Sequence, residues 1–535
     1  MRTMVSPRTS GLARASDPRP VRWRLWLVTA AALLAPTVGG IVWAVSAEAE
    51  SRQVHVMRTL AVGSLGLLAQ LGWLCGWALF LSRLRWVARA AVIGLAAAAI
   101  GAAATTVRIR GVSGDVLPLV TWRWTDRAGD LARPAAPAGP SAAASPDAAP
   151  DYPQFLGVRR DATVPGARLA RDARAGSPRR LWRQPIGAGW SGFAVAGGIA
   201  VTQEQRRDEE LVTGYDLETG RLLWSHADRV RFEPVLVGIG PRATPAIRAG
   251  RVFAIGATGI LNALDLASGE RLWSVDVVAD ARSEVPEYGV SASPLAFDDV
   301  VVVAAGGRDG ASLVAYDAAS GRRRWSGGSD PAAYSSPMLV ELAGVPQILL
   351  FNANHLSAHD PGDGHVLWQF PWPGETQRVS QPVVVPGDRV FVSSGYGIGG
   401  KLLQVRAGGE GGLAVELLWE SRGLKAKFTN VVHRDGFLYG LDDGILACLD
   451  VESGQRRWKA GRYGHGQLIL AGDVLVVLGE SGDVALVAAD PRAHVEVARF
   501  AGVAGTTWGH PALAGRLLLV RNDREAACYE LAGAG

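Results

Sequence analysis

A tryptophan returns at the same place in successive stretches of this chain: Trp182, Trp224, Trp273, Trp325, Trp368, Trp419 and Trp458, with Phe500 in the next slot. The intervals are 42, 49, 52, 43, 51, 39 and 42 residues. A period of about 40–45 residues that holds several short apolar runs is the signature of a β-propeller blade. One such unit cannot bury both faces of its sheet, so the units must stack in a ring.

The clearest unit runs from Ala243 to Trp273. It offers strands at Pro245–Ile247, Val252–Ile255 and Ile260–Leu264, and Leu272-Trp273 opens a fourth, which is a four-stranded antiparallel meander. Other units start at Ser191-Gly192, Ser293-Pro294, Ser336-Pro337, Gln381-Pro382, Thr429-Asn430, Gly466-Gln467 and His510-Pro511. Proline at a strand's first residue loses no ladder donor. Third strands end in an acid (Asp216, Asp265, Asp317, Asp360, Asp450, Asp490), and five of these lead to a turn glycine (Gly220, Gly269, Gly321, Gly364, Gly454). The carboxylate is expected to bond its own turn while glycine supplies the positive φ, so these acids are structural. The last unit has three strands, and the surplus strand of Trp182 precedes the first unit; pairing them closes the ring. The predicted fold is all-β: an eight-bladed β-propeller of four-stranded antiparallel blades, preceded by a small α-helical transmembrane region.

The pattern xP…G-x-V-(F/Y)…G-x-L-x-A-x-D-x-x-(S/T)-G…W resembles the pyrroloquinoline-quinone-type propeller repeat over roughly residues 151–532. That superfamily holds quinoprotein alcohol dehydrogenases and a non-enzymatic propeller lipoprotein of the outer-membrane barrel assembly machinery. The resemblance implies the fold and leaves the function open between those classes.

Ahead of the propeller, residues 1–22 are basic, and three apolar stretches follow at about 23–45, 60–81 and 87–107, each near the ~20 residues needed to span a bilayer. Arginines precede the first stretch and lie between the second and third (Arg83, Arg85, Arg89), which puts the N-terminus inside and the propeller outside, in the periplasm of a bacterium with this chain in its inner membrane. Arg108 and Arg110 pull the other way, toward a cytoplasmic propeller. Residues 108–150 are a juxtamembrane segment and a Pro/Ala-rich linker, and 151–535 the propeller. With 55 Lys and Arg against 50 Asp and Glu, the net charge of +5 leaves no nucleic-acid footprint on the propeller. Cys448 and Cys528 fill the slot two residues before the third-strand acid, where other repeats hold Gly or Ala, and are expected to be small apolar fillers rather than a bridge.

Ligands of propellers bind at the channel mouth lined by the loops that precede the first strands and follow the second. Arg242 and Lys427 stand three residues before the starts of blades two and six, opposite one another, and would suit an anion; the competing expectation pairs them with Glu204, Glu287 or Glu420. His465 and His510 start neighbouring blades and could shuttle a proton, though no third metal ligand accompanies them. His355, His359 and His365 are too spread along a strand for a metal. Two second-to-third connections stand out: the charged 202–210 and the glycine-rich 393–400.

Two functions remain. One is a membrane-anchored binding or scaffold propeller with protein or envelope partners. The other is a membrane-bound quinoprotein dehydrogenase, for which the resemblance admits pyrroloquinoline quinone and calcium. The adjacent cysteine pair common in quinoprotein alcohol dehydrogenases is absent, and no residue matches their calcium and catalytic motifs. The balance leans away from an enzyme.

Overall fold

Each repeat turns on an acid. Asp216, Asp265, Asp317 and Asp450 each accept from the backbone N–H and the hydroxyl of the Thr or Ser three residues on, and the turn glycines carry φ of 66–82°. The computed structural model describes residues 85–533 apart from 115–117, 125–130, 133–150, 171–177, 235–237, 375–376 and 410–411, with some positions between 63 and 79. Eight antiparallel sheets follow one another along the chain, seven of four strands and one of five. Sheet one runs from Ala194–Ala196 to Leu222–Asp228, and sheet two from Ala246–Arg248 to Arg271–Asp276. The eighth is built by both ends of the propeller: Glu525–Glu530 pairs with Arg179–Pro185, which sets Cys528 against Trp182.

The recurrent tryptophans join each sheet to the next. Trp182, Trp224, Trp273, Trp419 and Trp458 donate their indole N–H to the carbonyls of Leu217, Leu266, Ala318, Val451 and Asp490 in the following sheet, at 2.8–3.1 Å. Trp368 instead donates to Gln347 within its own sheet. The ring face lies on the turn glycine of the next sheet: a Cβ on Gly269 would stand 2.6 Å from Trp224 Cδ2, and one on Gly321 2.8 Å from Trp273 Cδ2. The small third-strand residue is the tryptophan's cross-strand partner (Ala263 against Trp273, Ala315 against Trp325, Cys448 against Trp458). Trp182, Trp224 and Trp368 are buried, whereas Trp273, Trp325, Trp419 and Trp458 are half-exposed at their sheet edges.

At the inner strands, polar side chains form a girdle. Thr244 Oγ1 accepts from Gly192 N, Ser293 Oγ from Thr244 N, Ser336 Oγ from Ser293 N, Gln381 Oε1 from Ser336 N, and Asn430 Oδ1 from Gln381 N. Asn430 Nδ2 then donates to His510 Nε2, and Gln467 Nε2 to the Phe428 and Trp508 carbonyls. Arg521 ties sheet eight to sheet one, donating to Thr202 Oγ1 and to the carbonyls of Gln203, Gly187 and Gly189. Thr244, Ser293, Ser336 and Gln381, two residues before their first strands, and Asn430, directly before its own, are thus polar because each receives a neighbour's amide.

A strap before the first sheet crosses this ring. Tyr152 exchanges backbone bonds with Val195, Pro153 accepts from Ile247, Phe155 meets the His510 ring edge-on at 4.7 Å, and Ala162 accepts from Leu470. Thr163–Val164 joins sheet seven as a parallel fifth strand, a departure from uniform four-stranded blades. Arg160, fully buried, reaches into the girdle and donates to Pro294 O at 2.8 Å and Ser293 O at 3.0 Å. Burial pulls its guanidinium down to about 9. The strap holds Leu156, Arg160 and Ala162 at φ of 56–61°, left-handed backbone that only surrounding packing sustains.

The chain divides into two compact units, Met1–Arg108 and Ile109–Gly535. In the first, Trp86–Thr106 is a helix of 21 residues with mean hydropathy 1.9 and no buried residue. It coincides with the third expected span. The first span lies outside the described residues; the described part of the second, residues 69–73 among it, is helical. Val107–Val112, which runs across the division, pairs with Pro118–Trp122 as a hairpin.

Candidate functional site

The loops before the first strands and after the second strands gather aromatic and charged side chains at one end of the ring. Trp190 and Trp508 lie 4.7 Å apart, Trp508 and Phe428 5.8 Å, and Phe428 and His465 5.2 Å. Tyr288 and Tyr334 meet edge to face at 5.3 Å. Arg242 stacks over Phe232 at 5.3 Å and donates to Gly240 O and Gly238 O. Burial lowers its guanidinium to about 10, against the pull of Tyr334, Glu210 and Tyr288. Lys427 lies over the rings of Tyr396 and Phe428 at 5.2 and 5.7 Å and donates to Gly114 O. Cations over aromatic faces, partly stripped of water, gain about 0.5–2 kcal/mol each.

The acids expected to neutralise these cations serve elsewhere. Glu204 is fully buried and accepts from Tyr215 OH at 2.7 Å, Arg206 Nε at 3.0 Å and Gly187 N. Burial is the largest influence on it and acts upward, yet Arg206, Tyr215 and Arg521 together hold it below the ordinary carboxylate range. Glu420 pairs with Lys401. Glu287 is exposed beside the tyrosines. His510, with its Nε2 accepting from Asn430, is pushed down to about 3 by burial and is a neutral girdle residue, unsuited to proton shuttling at neutral pH. His465 is buried against Phe428, and its backbone N–H donates to Glu480 Oε2 at 3.0 Å.

Residues 202–210 are strand rather than a long loop: Ile199–Arg206 and Glu209–Asp216 are joined through Arg207-Asp208, and Thr202–Gln205 are buried. The glycine-rich connection contributes Tyr396 at φ 59° to the mouth. His355, His359 and His365 take separate partners: Asp330, then Ser357 with Gly364 O, then Asp363. Two central features escaped the sequence reading. Arg160 sits in a segment with no repeat signature. Glu480 lies in a four-residue connection, yet its carboxylate accepts from Gly114 N, Trp508 Nε1 and His465 N at 2.7, 3.1 and 3.0 Å.

A family model described as outer membrane protein assembly factor BamB matches residues 166–289 and 208–460, together more than half of the chain. The chain belongs to this family of propeller repeats. A curated relative, the quinohemoprotein alcohol dehydrogenase ADH-IIG of Pseudomonas putida, is 31% identical over 121 residues, which are 22% of this chain and 16% of that enzyme. The chain therefore matches only a small part of that relative's length. Among solved structures, BamB from Moraxella catarrhalis covers 66% of this chain and 98% of its own at 15% identity and TM-score 0.49. The quinohemoprotein alcohol dehydrogenase ADHIIG of Pseudomonas putida HK5 covers 72% and 81% at 13% identity and TM-score 0.44.

Calcium binds through several oxygen ligands, so a quinone held with calcium would need acids free at the mouth. Here Glu204, Glu480, Asp330 and Asp442 are each engaged by N–H, O–H or ammonium donors of the chain itself. Among the described residues, the one group of three ligand atoms close enough to share a metal is Asp360, Asp363 and His365, in the turn of sheet four. These four carboxylates are thus committed within the chain.

Proposed function

We propose that this chain is a membrane-anchored, extracytoplasmic eight-bladed propeller that acts as a binding module for other proteins, with its eight sheets as the blades. The observation that carries this reading is the make-up of the mouth: the strap and girdle are buried and bonded to one another, Arg160 to the Ser293 and Pro294 carbonyls among them, and the loops beside them carry the half-buried Trp190, Trp508, Tyr288, Tyr334 and Arg242. Such residues dominate binding energy at protein interfaces. Three spans (about 23–45, 60–81 and 87–107) with the N-terminus inside would place the propeller in the periplasm of a bacterial inner membrane. The unburied apolar helix supports the anchoring, as do Trp122 and Trp124, stacked at 5.0 Å and 53% and 66% exposed, which suit a bilayer interface. The partial match to a quinohemoprotein dehydrogenase keeps a quinone-dependent enzyme as the second reading.

The test is site-directed photo-cross-linking in native membranes, with a benzophenone amino acid at Tyr288 on the rim and at Leu272 on an outer strand. A protein adduct from position 288 and none from 272 is expected. Equal adducts from both positions, or none from 288, contradict the reading.

A further inference from the structure

The rim already holds a piece of polypeptide, and the way it does so defines a ligand. Gly114, from the tip of the hairpin that follows the apolar helix, is buried there. Its N–H donates to Glu480 Oε1 at 2.7 Å, and its C=O accepts from Lys427 Nζ. One acid and one base thus read both backbone groups of a single residue. Neither partner is a loose surface charge. Glu480 is fixed by the Trp508 indole and the His465 amide, and Lys427 by the rings of Tyr396 and Phe428. The third wall is the His465 imidazole: a Cβ on Gly114 would stand 2.6 Å from its Cγ and 2.7 Å from its Cβ. Real Cβ atoms do not approach that closely, and His465 is held by Phe428 behind it.

We infer that Glu480, Lys427 and His465 form a glycine-selective peptide clamp at the propeller mouth, which the chain's own Gly114 occupies in cis and which an extended, glycine-containing segment of a partner protein occupies in trans. This rests on the binding-module reading and names its ligand. The cis segment is tethered, so its effective concentration at the clamp is in the millimolar range. A partner segment must therefore outcompete it, or the hairpin must be drawn away. The clamp is in this sense self-inhibited, and release of residues 107–122 exposes it.

The experiment uses the full chain in nanodiscs, with hydrogen exchange of the segment containing Gly114 and fluorescence anisotropy of a labelled synthetic peptide of residues 107–122. In the wild type, the Gly114 segment should be protected and the peptide should bind poorly. Gly114→Val should abolish the protection and raise peptide affinity at least tenfold. A peptide carrying the same Gly→Val change should not bind. Lys427→Met and Glu480→Gln should each lose protection in cis without gaining affinity in trans. Unchanged protection in Gly114→Val overturns the clamp. Lost protection with no gain in peptide binding shows a seal rather than a binding site and overturns the trans half. Rim cross-links at position 288 depend on neither result, so the binding-module reading fails or survives separately.

Discussion

Gly269 and Gly250 stand in the same sheet with the same φ of +72°, yet they differ in what a side chain would meet. At Gly250 nothing lies within 4 Å of an added Cβ; at Gly269 it would stand 2.6 Å from Trp224 Cδ2. Trp224 has no room to yield. Its indole N–H is held by Leu266 O at 2.8 Å, and its other side is closed by Gly214, where a Cβ would lie 2.6 Å from Cζ2. Alanine at either position costs about 1–2 kcal/mol for left-handed backbone, offset by roughly 0.4–1 kcal/mol from the stiffer unfolded chain. Only Gly269→Ala adds overpacking of about 1–3 kcal/mol. The backbone contributions cancel between the two variants, so the expected difference in unfolding free energy is about 1–3 kcal/mol. Guanidinium unfolding of the full chain in detergent, followed by tryptophan fluorescence with the slope unchanged between variants, measures it. Equal destabilisation within about 0.5 kcal/mol would refute the claim that tryptophan-on-glycine stacking couples adjacent sheets.

Other consequences follow from buried groups. Burial raises Glu210 to about 7, with Asp228 pushing the same way while the Ala257 N–H and Arg242 oppose it. Between the ordinary value of 4.5 and about 7 the folded protein keeps a proton that the unfolded chain has lost, so this group's contribution falls as pH rises through that window and is flat above it. Glu210→Gln should remove that slope and stabilise the protein at pH 8 by on the order of 3 kcal/mol; denaturation curves at pH 5 and pH 8 check this. Arg160→Met should leave the Ser293 and Pro294 carbonyls without their donors and cost roughly 2–4 kcal/mol, and Arg160→Lys, lacking the two-pronged fork, should recover little of it; thermal melts compare the three. Burial pushes the Cys448 and Cys528 thiols up to about 12, so both should resist maleimide in the folded protein at pH 8 and react on unfolding, as intact-mass spectrometry would read.

What the sequence disclosed is local, and what it concealed is distant. The turn acids bond residues two or three positions on, and the small third-strand residues face the tryptophan one hairpin away, so both leave a periodic trace. Arg160 serves carbonyls 133 and 134 residues away, and Arg521 meets Thr202 at a separation of 319. No period records such pairs. Residues 202–210 read as a charged loop because a run of polar and charged side chains does not reveal that Arg521 and the neighbouring strand bury Thr202–Gln205. The positions of Arg242 and Lys427 near the mouth were legible from blade spacing. Their neighbours were not, because aromatic rings, a hairpin tip and Glu210, rather than the acids expected, lie around them. Glu480 carried no signal beyond its place in a short connection.

Calorimetry with the full chain in nanodiscs decides whether the mouth takes protein alone or also a quinone. Pyrroloquinoline quinone with calcium is titrated into the wild type and into Arg242→Ala and Lys427→Ala. No saturable heat up to about 100 μM quinone is expected in any of the three. Saturable binding at micromolar or tighter affinity that weakens in both variants would contradict it and make the chain a quinoprotein.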